Sequence, residues 1–277
     1  MKTDGGSWVC LTHHPAHDTS PAWSPDGTEI AFVSRFGRPS GIYKMNADGT
    51  GQTRLTPSSL ANPGHPAWSR DGTKIAFDNS VFVLSSDGTG ISPLTACAPG
   101  SDMQPSSGPS PPGTYDSSIY VMKSDGTGIS LLTPSGPGSD MQPTWSADGT
   151  QIAFHHQENG RSNVYVMNSD GSGRAPLTAT GGKSPAWSPD GTSIAFVREV
   201  EEQGEVYLMN TNGTGQTRLT DGGGEGPAWS PNGKKILFVR WCDGNWRIYV
   251  MNSDGSGQTR LTNAPDSSDT DPAWSLN

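Results

Sequence analysis

The residues of this 277-residue chain best able to do chemistry fall into three groups. Histidines gather at His13-His14-x-x-His17-Asp18 and again at His155-His156. Imidazoles beside a carboxylate are ligands that a transition metal accepts, and His14, His17 and Asp18 would supply them. Neighbouring histidines on extended chain point apart, however, so solvated side chains are the competing reading. A second group mixes arginine with aromatic rings: Arg35, Phe36 and Arg38; Arg161 beside the second histidine pair; Arg198; then Arg240, Trp241 and Trp246. Guanidinium groups pair with carboxylates and aromatic faces stack on flat ligands. Together with His155 and His156 this set suits a carboxylate-bearing peptide or glycan; the alternative is a solvated rim with incidental charges. The third group is four aspartates, Asp18, Asp102, Asp140 and Asp269, each three residues before a recurring proline. A ring of such carboxylates at a channel mouth could hold a hard cation such as calcium. The same aspartates could instead accept main-chain N–H bonds and fix a connection.

These residues are set within a repeat. The phrase Pro-Ala-Trp-Ser-Pro-Asp-Gly-Thr begins at Pro21, with variants at Pro66, Pro143, Pro185 and Pro227, a degenerate copy at Pro105 and a final Pro-Ala-Trp-Ser at Pro272. Each unit predicts four short strands. The first ends in Trp-Ser and the second is Ile-Ala-Phe, as at Ile30–Phe32. The third is of the type Ile42-Tyr43-Lys44-Met45, and the fourth ends in Leu-Thr, as at Leu55-Thr56. Pro-Asp-Gly and Asn-x-Asp-Gly supply the positive φ of tight turns between them. Asn46-x-Asp48-Gly-Thr-Gly51 superficially resembles a calcium loop, but it lacks the closing glutamate and reads as a hairpin turn.

Four antiparallel strands per unit make a propeller blade, and neighbouring blades bury one another's faces. The expectation is therefore one all-β propeller domain over residues 1–277, with repeats starting near 21, 66, 105, 143, 185 and 227. Partial strands are expected at 7–12 and 272–275. Six third strands favour six blades, with seven the alternative; the Pro-, Gly- and Ser-rich stretch 106–116 predicts an irregular third blade. The uniform turns all fall on one face of such a propeller. The second-to-third loops and the inter-blade connections fall on the other, and variable loops on a rigid scaffold are where binding is commonly carried.

The pattern P-A-W-S-P-D-G-T-x-I-A-F followed by I-Y-x-M-N-x-D-G-T-G-Q-T-R-L-T resembles the repeats of TolB-type, WD-repeat-like β-propellers. The resemblance spans about Ser7 to Ser275. It implies a binding or scaffold propeller whose protein or carbohydrate partner docks at the axial channel or one rim. TolB itself is a periplasmic member of a cell-envelope complex, and its additional α/β domain has no counterpart here. Some polysaccharide lyases use propellers of this repeat type, so an enzyme acting on an acidic polymer is the second implied function. The repeats are also similar to those of propellers associated with prolyl-oligopeptidase-like hydrolases, which place catalysis in a separate domain. A hydrolase-associated propeller is thus a further implied alternative; no G-x-S-x-G nucleophile elbow is present in this sequence.

Composition limits the remaining classes. A net charge of −9 with no basic cluster argues against nucleic acid as partner. No apolar run approaches membrane-spanning length, so membrane insertion is not expected. Cys10, Cys97 and Cys242 are too few and too scattered for a disulfide framework. The first residues lack a signal-peptide core, so a periplasmic or extracellular site would require a removed leader. A monomer needing no cofactor is the simplest expectation.

Overall fold

The computed structural model describes residues 9–36, 39–60, 62–80, 82–84, 91–93, 117–133, 138–263 and 268–275. Blade 1 consists of β1 (Asp18–Trp23), β2 (Glu29–Ser34), β3 (Gly41–Asn46) and β4 (Thr53–Arg54). Next come β5 (Pro63–Trp68), β6 (Lys74–Ser80), β7 (Phe82–Leu84), β8 (Ile91–Pro93), β9 (Ser117–Lys123) and β10 (Ser130–Leu131). Blade 3 holds β11 (Ser139–Trp145), β12 (Gln151–Glu158), β13 (Arg161–Asn168) and β14 (Ala175–Pro176). Blade 4 holds β15 (Lys183–Trp187), β16 (Ser193–Val200), β17 (Gln203–Asn210) and β18 (Thr217–Arg218); blade 5 holds β19 (Glu225–Trp229), β20 (Lys235–Cys242), β21 (Asn245–Asn252) and β22 (Thr259–Arg260).

The propeller is confirmed, but the described residues form five four-stranded blades rather than six or seven. The difference arises in blade 2, whose strand order is β10-β9-β6-β5. Its inner pair comes from the second repeat and its outer pair from the third. The second repeat's own outer strands, β7 and β8, form a separate two-stranded sheet. The third repeat therefore does not make an irregular blade of its own. Its Pro-, Gly- and Ser-rich residues 105–116 lie outside the described residues, and its β9 pairs with β6 of the second repeat.

The chain ends occupy equivalent positions around the ring without forming a sixth four-stranded sheet among the described residues. The Trp274 indole donates to the Ala228 carbonyl at 3.0 Å, as Trp68 does to Ala22 and Trp145 to Ala67. Leu11 presents its carbonyl to Gly49 just as Leu55 does to Gly126. Neither 9–12 nor 272–275 is a ladder strand.

Packing follows from the Ile-Ala-Phe strand. Its alternate side chains face opposite neighbours, so small Ala31 receives the large Ile75 and Phe77 of blade 2. Ala153 likewise faces Ile194 and Phe196 of blade 4. Phe77, Phe154, Phe196 and Phe238 are fully buried, each a contribution of about 1.5–3 kcal/mol. No helix among the described residues is long and apolar enough to cross a membrane.

Candidate functional site

The first strands surround an axial cavity of about 450 Å³. Its lining repeats from unit to unit as X-Pro-Ala-Trp, or X-Pro-Thr-Trp in blade 3, with X being Ser20, His65, Gln142, Ser184, Gly226 and Asp271 in turn. Every X residue has a left-handed φ, between 44° and 56°. Such a φ is uncommon outside glycine, and a following proline disfavours helical backbone as well. Its recurrence coincides with a register shift in each first strand, as between Thr19 and Ala22 or between Met141 and Thr144. The bulge re-aims the residue before proline toward the axis. Asp18, Asp140 and Asp269, two residues further back, do not line the cavity; Asp102 lies outside the described residues.

The three described aspartates differ in their surroundings. Asp140 pairs with His156 Nδ1 at 2.7 Å and accepts from Arg174 Nη2 at 2.8 Å. Burial, the largest influence, pushes the Asp140 carboxyl up despite these partners. Asp18 Oδ2 lies 3.3 Å from His14 Nε2 without hydrogen-bond geometry, and Asp269 lies 3.8 Å from Arg247. His13 and His17 are exposed. Among the described residues no three His, Cys, Asp or Glu side chains converge to hold a metal.

Of a polar cluster beside the cavity, only His155 is singled out by the sequence. At the fifth residue of the second strand, three blades carry Val33, Val197 and Val239, whereas blades 2 and 3 carry Asp78 and His155. Gly64 stands opposite Asp78; a Cβ there would lie 2.6 Å from Asp78 Oδ1, so glycine makes room for the carboxylate. Asp78 Oδ2 accepts the Gln142 N–H at 2.8 Å and pairs with His65 Nδ1 at 2.7 Å. Gln142 Oε1 in turn accepts from the main chain and hydroxyl of Ser184, both at 3.1 Å. Burial opposes the His65 proton, but the charge and hydrogen bond of Asp78, helped by Asp271, hold it above its ordinary range. His65 still keeps 43% side-chain exposure because it borders the cavity.

His155 is 93% buried, and its Nε2 has no hydrogen-bond partner. Burial, followed by the charge of Lys183, depresses it to about 4, so it is neutral near pH 7. Lys183 is held between Glu199 at 3.2 Å and Glu225 at 3.1 Å, and these carboxylates keep its ammonium above the ordinary range against burial.

The remaining predicted site residues are dispersed. Arg198 lies over the rings of Phe196 and Tyr207, and Arg240 over Phe238 and Tyr249, on their own blades. Arg240 is further tied to Gly223 O at 2.9 Å and Gln258 at 2.7 Å. Arg161 is exposed beside a smaller cleft of about 350 Å³ between blades 3 and 4. Phe36, 54% exposed, packs on His14 with ring centroids 4.7 Å apart, and Arg35 beside it is exposed. Arg38 lies outside the described residues. Trp241 and Trp246 form an edge-on pair at the β20–β21 hairpin tip, with Trp241 53% exposed. His155 and His156 are thus buried between strands, apart from the exposed arginines and tryptophans of the rim.

A family profile described as the TolB beta propeller domain matches residues 112–277. The chain belongs to this family. No curated relative matches its sequence. Among solved structures, this TolB-type propeller is similar to a protein assigned as TolB from Agrobacterium tumefaciens, with TM-score 0.70 and 22% identity, covering 91% of this chain and 83% of that one. TolB from Acinetobacter baumannii gives TM-score 0.75 and 22% identity, covering 99% of this chain, which spans 61% of that protein. An oligogalacturonate lyase from Vibrio parahaemolyticus gives TM-score 0.58 and 12% identity, covering 90% and 66%. These likenesses establish the fold.

Proposed function

We propose that this propeller is a non-enzymatic binding module that takes a protein or glycan ligand at the axial cavity. The carrying observation is the cavity lining itself: all five blades and the C-terminal segment contribute an X-Pro-Ala-Trp segment, with Thr144 replacing alanine in blade 3. Tryptophan and proline present broad, stiff apolar surface at small entropic cost, while His65, Gln142, Ser184 and Asp271 add polar contacts at fixed positions. In this reading the module acts as a monomer, needs no cofactor and, with a leader removed, works in the periplasm or outside the cell.

The polysaccharide-lyase reading assigns the chemistry to His155 or His156. Both are more than nine-tenths buried, and His156 is held by Asp140 and Arg174. That setting favours structural roles and supports the binding module.

Six of the nine tryptophans line the cavity, so ligand entry should change intrinsic emission. The test titrates a soluble peptide library and, separately, oligogalacturonides against the protein and two variants. Gly226→His places a side chain where a Cβ meets nothing within 4 Å, at a backbone φ that His65 already adopts. Binding should be lost in Gly226→His and kept in the rim variant Trp241→Ala. The reverse pattern moves the site to the rim, and formation of unsaturated oligogalacturonide establishes the enzyme.

A further inference from the structure

The outer hairpin that completes blade 2 has a near-duplicate in the same chain. Residues 82–95 read Phe-Val-Leu-Ser-Ser-Asp-Gly-Thr-Gly-Ile-Ser-Pro-Leu-Thr, and residues 120–133 read Tyr-Val-Met-Lys-Ser-Asp-Gly-Thr-Gly-Ile-Ser-Leu-Leu-Thr, identical at ten of fourteen positions. The two hairpins also share one internal register. Val83 faces Ser92 and Phe82 faces Pro93, just as Val121 faces Ser130 and Tyr120 faces Leu131. The single proline is compatible with a blade, since Pro176 holds that place in blade 3. Yet only β9–β10 is paired with β6.

Two features of the observed pairing are unfavourable. Lys74 stands opposite Lys123, and like charges directly opposed on a sheet destabilise it; the duplicate carries Ser85 at that place. Asn79 is 98% buried with neither amide nitrogen nor oxygen bonded, a costly state for a polar side chain. Pairing β6 with β7 instead, with Phe82 beside Phe77, makes Asn79-Ser80 the two-residue turn of a tight hairpin. Asparagine suits that position, and the connection closes a far shorter loop.

We propose that blade 2 exchanges its outer hairpin, β6 pairing either with β9, as in this structure, or with β7. The exchange acts on the strand that carries Asp78, and so on the polar cluster at the axial cavity.

The test places cysteines at Lys74 and Ser85 in a background with Cys10, Cys97 and Cys242 changed to serine, and applies a short thiol crosslinker. Lys74 and Lys123 are exposed, and Lys74→Cys with Lys123→Cys reports the observed register. Both pairs should crosslink within one chain. Phe82→Asp should remove the 74–85 product and leave the 74–123 product. Tyr120→Asp, a buried charge in the observed blade, should increase the 74–85 product while the protein stays folded. Absence of the 74–85 product overturns the exchange. So does its survival in Phe82→Asp, which would mark chance proximity, or unfolding of Tyr120→Asp, which would show that β7 cannot replace β9.

Discussion

Asp78 Oδ2 accepts the main-chain N–H of Gln142 at 2.8 Å, joining the second strand of blade 2 to the first strand of blade 3. The same oxygen holds His65 at 2.7 Å. Asp78→Ala leaves both groups without their acceptor and should destabilise the protein by about 1–3 kcal/mol. Asp78→Asn keeps an acceptor oxygen and should recover much of this. Urea unfolding of the two variants checks it; equal losses would assign the effect to packing instead.

His65 and His155 give opposite pH dependences. His65 is raised above 6.5 in the fold, so its stabilising contribution is complete below 6.5 and is lost as pH rises through the raised value. His155 falls from 6.5 to about 4, so its contribution is present above 6.5 and is lost as pH drops toward 4. The full loss is on the order of 3 kcal/mol. His155→Val, which restores the residue of blades 1, 4 and 5, should flatten the melting temperature between pH 6.5 and 4. His65→Gln should remove the decline above 6.5. An unchanged acid slope in His155→Val would place that sensitivity elsewhere.

The blade pattern was readable because each strand repeats its own local signal: Ile-Ala-Phe for the interface, Asp-Gly for the turn. Blade number was not, because residues 81–84 and 119–122 carry equivalent strand signals and only long-range pairing decides which joins β6. The axial site was obscured by the left-handed backbone before each proline, which accompanies Asp271 rather than Asp269 on the cavity. Asp78 and His155 did leave a sequence trace, as polar residues where Val33, Val197 and Val239 stand. His155 was already among the candidate residues; comparing the repeats with one another at that position would have found Asp78 as well.

The Pro-Asp-Gly turns depend on an acceptor rather than a charge. Asp190 Oδ1 accepts from Ser188 Oγ at 2.5 Å and from Thr192 N at 3.0 Å, and these bonds hold its carboxyl below the usual range. In blade 5, Asn232 makes the corresponding contacts to Ser230 at 2.9 Å and Lys234 at 3.0 Å. Asp190→Asn should therefore be nearly neutral at pH 7, whereas Asp190→Ala should lower stability, by no more than about 1 kcal/mol at this exposed site. Because a depressed carboxylate stabilises above its unfolded value, the small difference that remains between wild type and Asp190→Asn at pH 7 should vanish as pH falls through 3.8 and below. Thermal melts at pH 7 and pH 3 test both statements.

Trp229 and Trp187 occupy equivalent places in neighbouring blades but differ in one bond. The Trp229 indole N–H donates to the Ala186 carbonyl at 3.1 Å, while the buried Trp187 Nε1 has no partner. Replacing either with phenylalanine removes similar ring area, so the packing loss is common to both. Trp229→Phe also leaves the Ala186 carbonyl without its indole donor. Trp187→Phe deletes a nitrogen that was desolvated without return. Trp229→Phe should accordingly be the more destabilising by about 1 kcal/mol or more, a difference within reach of paired urea titrations. If Trp187→Phe proves the costlier, ring packing rather than the inter-blade hydrogen bond sets the contribution of this residue to the propeller.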